Sequence, residues 1–559
     1  MNRTRGGRPT EFDDARLPVP VAGRPAADQM TDVVVIGSNP GALAAAIACR
    51  QAGWEVLVVE PGPRLGSREA SGPGQLWLPA RDGIDDDYAT ARDYFDRVVG
   101  EGDAASSAPR RHAFLTGTGP LAGWLAELGI GLHVDRVGDH YPLLPGGRTN
   151  QRVVVPQPIE TTVIGQLAEV VPHGVTADAD TLVDRLEHAA RAVGGAARGR
   201  RTAHGGAALV VGLLAACQRL QVNIWWDAPT RRLLTTRDED GVTDRVVGVE
   251  VRRGVRPVRV FAGRGVIIAQ GGFEGDAAAR REFLPSPSRP AWTLGEPRSE
   301  GVRQLEWAAE LGLQLAGMGN AWWRPGLWYP QGKVWDAEQA LAAPHGFVVD
   351  ASGRRFANEA GPGNDFCRAL YRRVRELGPE SVAWLVIDSE HRHRYPLAGL
   401  APGRVPRGAE RAGLISSART LPELAWKIKV DAAGLQACAD RFDQIAAVGV
   451  DDDFGRGASP ADRARGDRAN RPNPCLGAVH QAPFQAVRVV PADVGTKGGL
   501  LTDEHGSTLR VDGPMPGLWA IGSAAASVTG AYDPAPGVGL AEAMVAGRTV
   551  ASAVAGLSR

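Results

Sequence analysis

Lysine is scarce in this chain. Of its 63 basic residues only Lys333, Lys427, Lys429 and Lys497 are lysines, and 63 acidic residues balance the total to a formal charge of zero. Acids accompany the arginines throughout, so no polyanion-binding face is expected and nucleic acid is excluded as a partner. Cysteine is equally sparse. Cys49, Cys217, Cys367, Cys438 and Cys475 are odd in number, scattered and without a CxxC pair. That pattern argues against a metal site, which is expected to be absent, and suits a reducing, cytoplasmic setting. No CxxCH for haem attachment is present. Long uncharged apolar runs are also missing, so no transmembrane segment is expected. No repeat of solenoid period occurs. Residues 1–30 are rich in Arg, Pro and Gly and lack an apolar h-region, which reads as a disordered leader rather than a signal peptide.

What is present points to nucleotide chemistry. A length of 559 residues calls for two substantial domains. From Asp32 the chain reads DVVVIGSNPGALAAAIACRQAGWEVLVVEP: a buried-strand run, a glycine turn, an Ala-rich helix and a second strand ending in Glu60. In this βαβ unit Gly37 permits the tight turn, Ser38 follows it, and Asn39 stands where a second glycine is usual and can tolerate positive φ. After Gly41, Ala42 replaces the third glycine with the next smallest residue. The helix start offers free N–H groups and a positive dipole end to a pyrophosphate. Glu60 lies at about the ~20-residue spacing at which a carboxylate takes ribose hydroxyls.

Two further segments favour FAD over NAD. GSREASGPGQLWLP, with Ser67, Ser71 and Gly72, is a small-residue loop suited to close approach by a planar cofactor. Near the C-terminus, PGLWAIGSAAASVTGAYDPAPGVGLAEAMVAGRTVASAV supplies a strand, a turn at Gly522 and Ser523, and a helix entry at Gly537, Gly539 and Leu540. A cofactor gripped from both ends of the chain explains both.

These segments, with DHYPLLPGGR, RGVIIAQGGFEGD, AWWRP and above all residues 491–530, resemble the FAD-dependent 3-ketosteroid Δ1-dehydrogenases, in the flavoprotein class that also holds fumarate reductases. The resemblance covers Asp32 to the C-terminus. It implies an α/β fold: a Rossmann-type FAD-binding domain in two segments, 31–275 and 476–559, with an inserted α+β substrate domain over 276–475. The activity it implies is insertion of a C=C bond beside a carbonyl. That needs an electrophile on the carbonyl oxygen, a base for the adjacent proton, and a flavin to take hydride.

In the family a Tyr and a Gly N–H hold the carbonyl oxygen. Here these match Tyr532 and Gly537 if one residue is inserted, while a strict count back from Gly537 lands on Asp533; Tyr532 is preferred because a carboxylate would repel an enolate. The family base, a Tyr (an Arg in fumarate reductases), stands five residues after the Asn of an Asn-Glu motif. In NEAGPGNDF that place is Gly363, which has no side chain. Tyr141, the best match to a second family Tyr, is the leading replacement, with Asp365, Tyr371 and Tyr329 as others. Trp322 and Trp323, with Trp328, Tyr329 and Trp335, either line a substrate pocket or form core, as do Gly363 and Asp365 at the pocket's edge. FAD is expected to be bound non-covalently, with His112, His133 and His140 as the residues that could form a link. Two alternatives stay open: a desaturase or ene-reductase acting on a non-steroid carbonyl compound in specialised metabolism, and a catalytically degenerate flavin-binding protein. The electron acceptor is not specified by the sequence.

Overall fold

The computed structural model describes residues 28–66, 68–172, 201–237, 243–295, 300–329, 334–378, 383–403, 405 and 407–556. Most of the leader and Ser67 lie outside these residues.

Strand β1 (Gln29–Ile36) is the buried run of the first motif, its last four residues fully enclosed. It begins inside the segment assigned to the leader, because Gln29 to Thr31 already pair with a neighbouring strand. Gly37 then turns the chain at φ +111°, and a Cβ there would lie 2.6 Å from the Ala269 carbonyl oxygen, so only glycine fits. Helix α1 (Pro40–Gln51) leads back to β2 (Val56–Val59), parallel to β1.

After α2 (Gly205–Arg219), the chain adds β3 (Asn223–Trp225), β4 (Thr230–Arg237), β5 (Thr243–Arg253) and β6 (Arg256–Ile268). The second sheet takes β7 (Ala321–Trp328), β8 (Val334–Asp336), β9 (Gly346–Val349), β10 (Ala383–Ile387), β11 (Ser416–Ala418) and β12 (Phe484–Thr496). The chain then returns through β13 (Ser507–Arg510) and β14 (Gly513–Ala520) to the first sheet, whose order is β13-β14-β6-β1-β2-β3, with β5 and β4 extending from β6. The strands from β14 to β3 are parallel and those beyond are antiparallel, as crossover and hairpin connections require.

The inserted domain is built on the order β8-β7-β12-β10-β9 with β11 beside β12. Helix α3 (Glu338–Ala342) follows β8, and α4 (Gly363–Leu377) packs on this sheet. Strand β12 lies between β7 and β10, so the segment 484–496 belongs to the inserted domain. This corrects the expected boundary at 476: the chain returns only after Thr496. Between the domains Phe273 N donates to Thr496 Oγ1 at 3.1 Å, joining the outgoing and returning strands.

The last helix, α5 (Val538–Gly556), is long and apolar enough to cross a membrane by length and composition, but it packs against α1. Their backbones touch: a Cβ on Gly41 would lie 2.7 Å from the Ala543 oxygen, and one on Gly547 2.2 Å from the Gly41 oxygen. Glycine at both places lets the N-terminus of α1 lie directly against the first half of α5.

Candidate active site

At the first turn the polar side chains are held by partners within the protein. Asn39 is the N-cap of α1 with extended backbone, φ −66°; its Oδ1 accepts from Ala42 N at 2.9 Å and its Nδ2 donates to the Ala269 oxygen. The expected tolerance of positive φ is therefore not what places asparagine here. Its side chain caps the helix and ties the turn to the end of β6. Ser38 Oγ donates to Glu60 at 2.6 Å and accepts from Gly66 N, while Gly62 N donates to the other Glu60 oxygen at 2.9 Å. Glu60 is buried at the end of β2, where the spacing predicted a carboxylate, and it braces the turn.

A cavity of about 450 Å³ opens beside this turn. Its wall includes Asn39, Pro40 and Gly41 at the start of α1, Ser71, Gly72 and Gly74 of the small-residue loop, Gly522 and Ser523 after β14, and Gly537, Gly539 and Leu540 at the start of α5. The three segments singled out in the sequence thus line one space. Gly537 has φ +81°, and a Cβ there would lie 2.4 Å from Gln75 backbone. Two helix N-termini opening on a glycine-walled slot fit a long, flat, doubly phosphorylated group such as FAD. His112, His133 and His140 are not in its wall; His112 instead meets the Tyr88 hydroxyl at 2.7 Å.

The rest of the wall is charged. Lys497, 2% exposed, donates to Thr529 Oγ1 at 3.0 Å and to the Tyr532 carbonyl oxygen, and its ammonium lies 3.9 Å from the centre of the Trp322 ring. Burial lowers it from the ordinary lysine value to about 8. Asp533 also lines the cavity. Its Oδ2 is 3.6 Å from His140 Nε2, and its Oδ1 is buried without a hydrogen-bond partner. Burial opposes its charge, but His140, Lys497 and Arg324 outweigh burial and hold the carboxyl below the usual range.

This corrects the preference for Tyr532. The Tyr532 ring lies under the Arg368 guanidinium at 4.6 Å and packs on the core of the FAD domain, and Asp533 takes the place in the wall that the strict count assigned to it. The expected electrophile is thus half present: Gly537 stands at the cavity, the phenol does not.

Gly363 opens α4, and a Cβ there would lie 2.4 Å from Glu338 Oε1 and 2.9 Å from Pro325 Cδ. A carboxylate from α3 therefore fills the space next to the missing side chain. Glu338 Oε2 accepts from Arg324 Nη1 at 2.7 Å, and the same guanidinium nitrogen is 3.5 Å from Asp336 Oδ2. Arg324 and Asp336 both line the cavity.

Tyr141 and Asp365 meet each other: the hydroxyl donates to Asp365 Oδ2 at 2.8 Å. Neither is in the cavity wall. Burial and the neighbouring Asp365 push the Tyr141 hydroxyl far above its ordinary value, the wrong direction for the base expected of it. Burial also raises Asp365, with Tyr141 and His140 only partly offsetting it.

Of the aromatic run, Trp322 and Trp323 reach the cavity. Trp323 also meets the Tyr371 ring in the inserted domain's core, which accounts for Tyr371. Trp328 packs on Trp292, Tyr329 lies against the inserted domain's core, and Trp335 is exposed beside Gly399. No motif in the sequence assigns a site role to Arg324, Asp336, Glu338 or Lys497. For Arg324, Asp336 and Glu338 a signal existed: charges interrupt the aromatic stretch AWWRPGLWYPQGKVWDAE, where a pure core strand would carry none.

Comparison with known proteins agrees with this geometry. Residues 32–540 match the FAD binding domain family. The chain is 34% identical to a 3-oxosteroid 1-dehydrogenase of Mycobacterium tuberculosis, over 94% of this chain and 98% of that one. It is 33% identical to a 4-oxocyclohexanecarboxylate 2-dehydrogenase of Sinomonas cyclohexanicum, over 94% and 93% respectively. The crystal structure of the 3-ketosteroid delta1-dehydrogenase from Sterolibacterium denitrificans in complex with 1,4-androstadiene-3,17-dione superposes with a TM-score of 0.88 at 29% identity, covering 95% of this chain and all of that one.

Proposed function

The chain belongs to the FAD binding domain family of flavoprotein dehydrogenases, and on that premise we propose that it inserts a C=C bond beside the carbonyl of a cyclic ketone, a 3-ketosteroid first of all. One observation carries this reading: a single cavity joins the nucleotide turn of α1 to Gly537 at the start of α5, with acid and base groups in the same wall. FAD, when bound there, accepts the hydride that leaves the carbon β to the carbonyl.

The chain's own residues divide the remaining work. Asn39 to Gly41 and Gly537 to Leu540 bring two helix N-termini to the cofactor and favour its negative charge. Lys497 adds a buried cation to the same wall. Gly537 supplies a backbone N–H at the place the ketosteroid enzymes use to hold a carbonyl oxygen. Trp322 shields one side of the cavity from water. Among the described residues no histidine lines the cavity, which supports a cofactor held without a covalent link.

The test is anaerobic titration of the purified holoenzyme with androst-4-ene-3,17-dione. Bleaching of the oxidised flavin band, with formation of the 1,2-dehydrogenated product, is expected. An unchanged spectrum would overturn the steroid assignment.

A second reading is favoured by the charges in the wall. Arg324, Lys497 and Asp533 suit a small cyclic ketone bearing an ionised group better than an apolar polycycle. The 4-oxocyclohexanecarboxylate enzyme acts on such a compound by its name. The same titration with 4-oxocyclohexanecarboxylate distinguishes the two readings.

A further inference from the structure

We propose that Asp336 is the proton acceptor of this site, taking over the part for which Gly363 has no side chain. The inference rests on the dehydrogenase reading above and goes beyond it by assigning the group that moves the proton.

Of the carboxylates in the wall, Glu69 belongs to the small-residue loop and Glu542 on α5 accepts from Ser527 and Val528; of the other four in the wall or beside it, each has distinct surroundings. Asp365 is occupied by Tyr141 and lies outside the cavity wall. Glu338 is committed to Arg324 at 2.7 Å and fills the space beside Gly363. Asp533 faces the cavity, but His140, Lys497 and Arg324 stabilise its charge and make it a weak base. Asp336 faces the cavity with its side chain 46% exposed. Its Oδ1 accepts from Glu338 N at 2.9 Å, which fixes the carboxylate, and its Oδ2 stands at the longer distance of 3.5 Å from Arg324. Enclosure by protein on its other sides, and next the Glu338 charge, raise its carboxyl; Arg324 offsets only part. A carboxylate of raised affinity for protons, open to substrate and fixed by its backbone contact, is the better base.

The location agrees with the chemistry. Of the two residues that a Cβ at Gly363 would strike, Glu338 itself flanks Asp336 and Pro325 follows Arg324, the other flanking group. The hairpin β7–β8 with α3 thus brings its own charged groups to the place that a side chain at position 363 would enter. In the step assigned here, Asp336 forms an O–H bond as the C–H bond next to the carbonyl breaks. The electron pair of that C–H bond moves into the enolate, whose oxygen is held by Gly537 N–H. Arg324 keeps Glu338 neutralised and so limits how far Asp336 is raised.

Enolisation can be read separately from hydride transfer. The holoenzyme is placed in deuterium oxide with androst-4-ene-3,17-dione or 4-oxocyclohexanecarboxylate, and loss of the proton next to the ketone is followed by NMR while the flavin band is followed anaerobically. Asp336→Asn keeps the acceptor to Glu338 N and is expected to retain the flavin spectrum while losing exchange by about 10²-fold or more. Asp336→Glu should restore part of it and shift the pH profile of exchange, which a purely structural role would not do. Wild-type bleaching together with unchanged exchange in Asp336→Asn would overturn the inference alone. A wild type that neither bleaches nor exchanges with either ketone would overturn the dehydrogenase reading, and the inference with it.

Discussion

The Tyr141 hydroxyl donates to Asp365 at 2.8 Å, closing a contact between residues 224 positions apart in the chain. The loop at residues 139–148 is thereby fastened to the first turn of α4, and with it the FAD domain to the inserted domain. Tyr141→Phe leaves a half-buried carboxylate without its donor, at a cost of about 1–2 kcal/mol. Asp365 is raised in the folded protein, so its contribution to stability is present below the unfolded value and lost as pH rises through the folded one; removing the donor raises it further. The loss should therefore be larger at about pH 7 than at about pH 4, as measured by thermal unfolding. Turnover should fall far less than for a lost base.

Gly363→Tyr, the substitution that would restore the family side chain, is expected to weaken the protein and give no gain in turnover. Its Cβ would meet Glu338 Oε1 at 2.4 Å and Pro325 Cδ at 2.9 Å, and only the carboxylate can move away cheaply. Displacing it breaks the Glu338–Arg324 pair. Melting temperature and flavin content of the variant check this; a rise in steroid turnover with unchanged stability would contradict it.

Lys497 carries a pH signature. Its folded value is lowered by burial to about 8, so above that pH the folded chain has released a proton that the unfolded chain, with a value near ~10.4, still holds. Stability from this group therefore rises with pH between those values and is lost as pH falls through the folded one. Comparing wild type with Lys497→Met at about pH 7.5 and 9.5 should show the wild type gaining on the variant at the higher pH. Equal shifts would mean the ammonium is not held in this environment.

Asp533→Tyr puts a phenol beside Gly537 in place of a charge. It should speed flavin reduction by a 3-ketosteroid by at least about 10-fold, since one donor to a developing oxyanion is worth ~10²–10³ in rate. Stopped-flow reduction measures it. Slower reduction would mean that Asp533 binds a donor group of the true substrate.

The elements legible in the sequence were those whose pattern is local. The run from Asp32 to Glu60 and the glycine entry to α5 follow from strand and helix periodicity plus residues that only turns accept. What failed depended on partners far away. VRVVPADVGT reads as a strand in isolation, but which sheet it joins is decided by β7 and β10, more than 90 residues earlier. Counting could not choose between Tyr532 and Asp533, because adjacent residues in an irregular turn point in different directions and the choice is settled by Arg368 and Lys497. The carboxylate beside Gly363 comes from α3, and no spacing rule links positions 338 and 363.

The close packing of α1 on α5 also sets an order of events during synthesis. The turn at residues 37–41 emerges from the ribosome early, but the opposite wall of its cavity is not made until residues 537–540 appear. Through most of translation the first βαβ unit has neither its partner helix nor the full grip on a dinucleotide. Cofactor capture is thus a late checkpoint: a chain terminated shortly before α5 would carry every residue of the nucleotide turn and still be unable to hold FAD, leaving its apolar α1 surface open to chaperones and proteases.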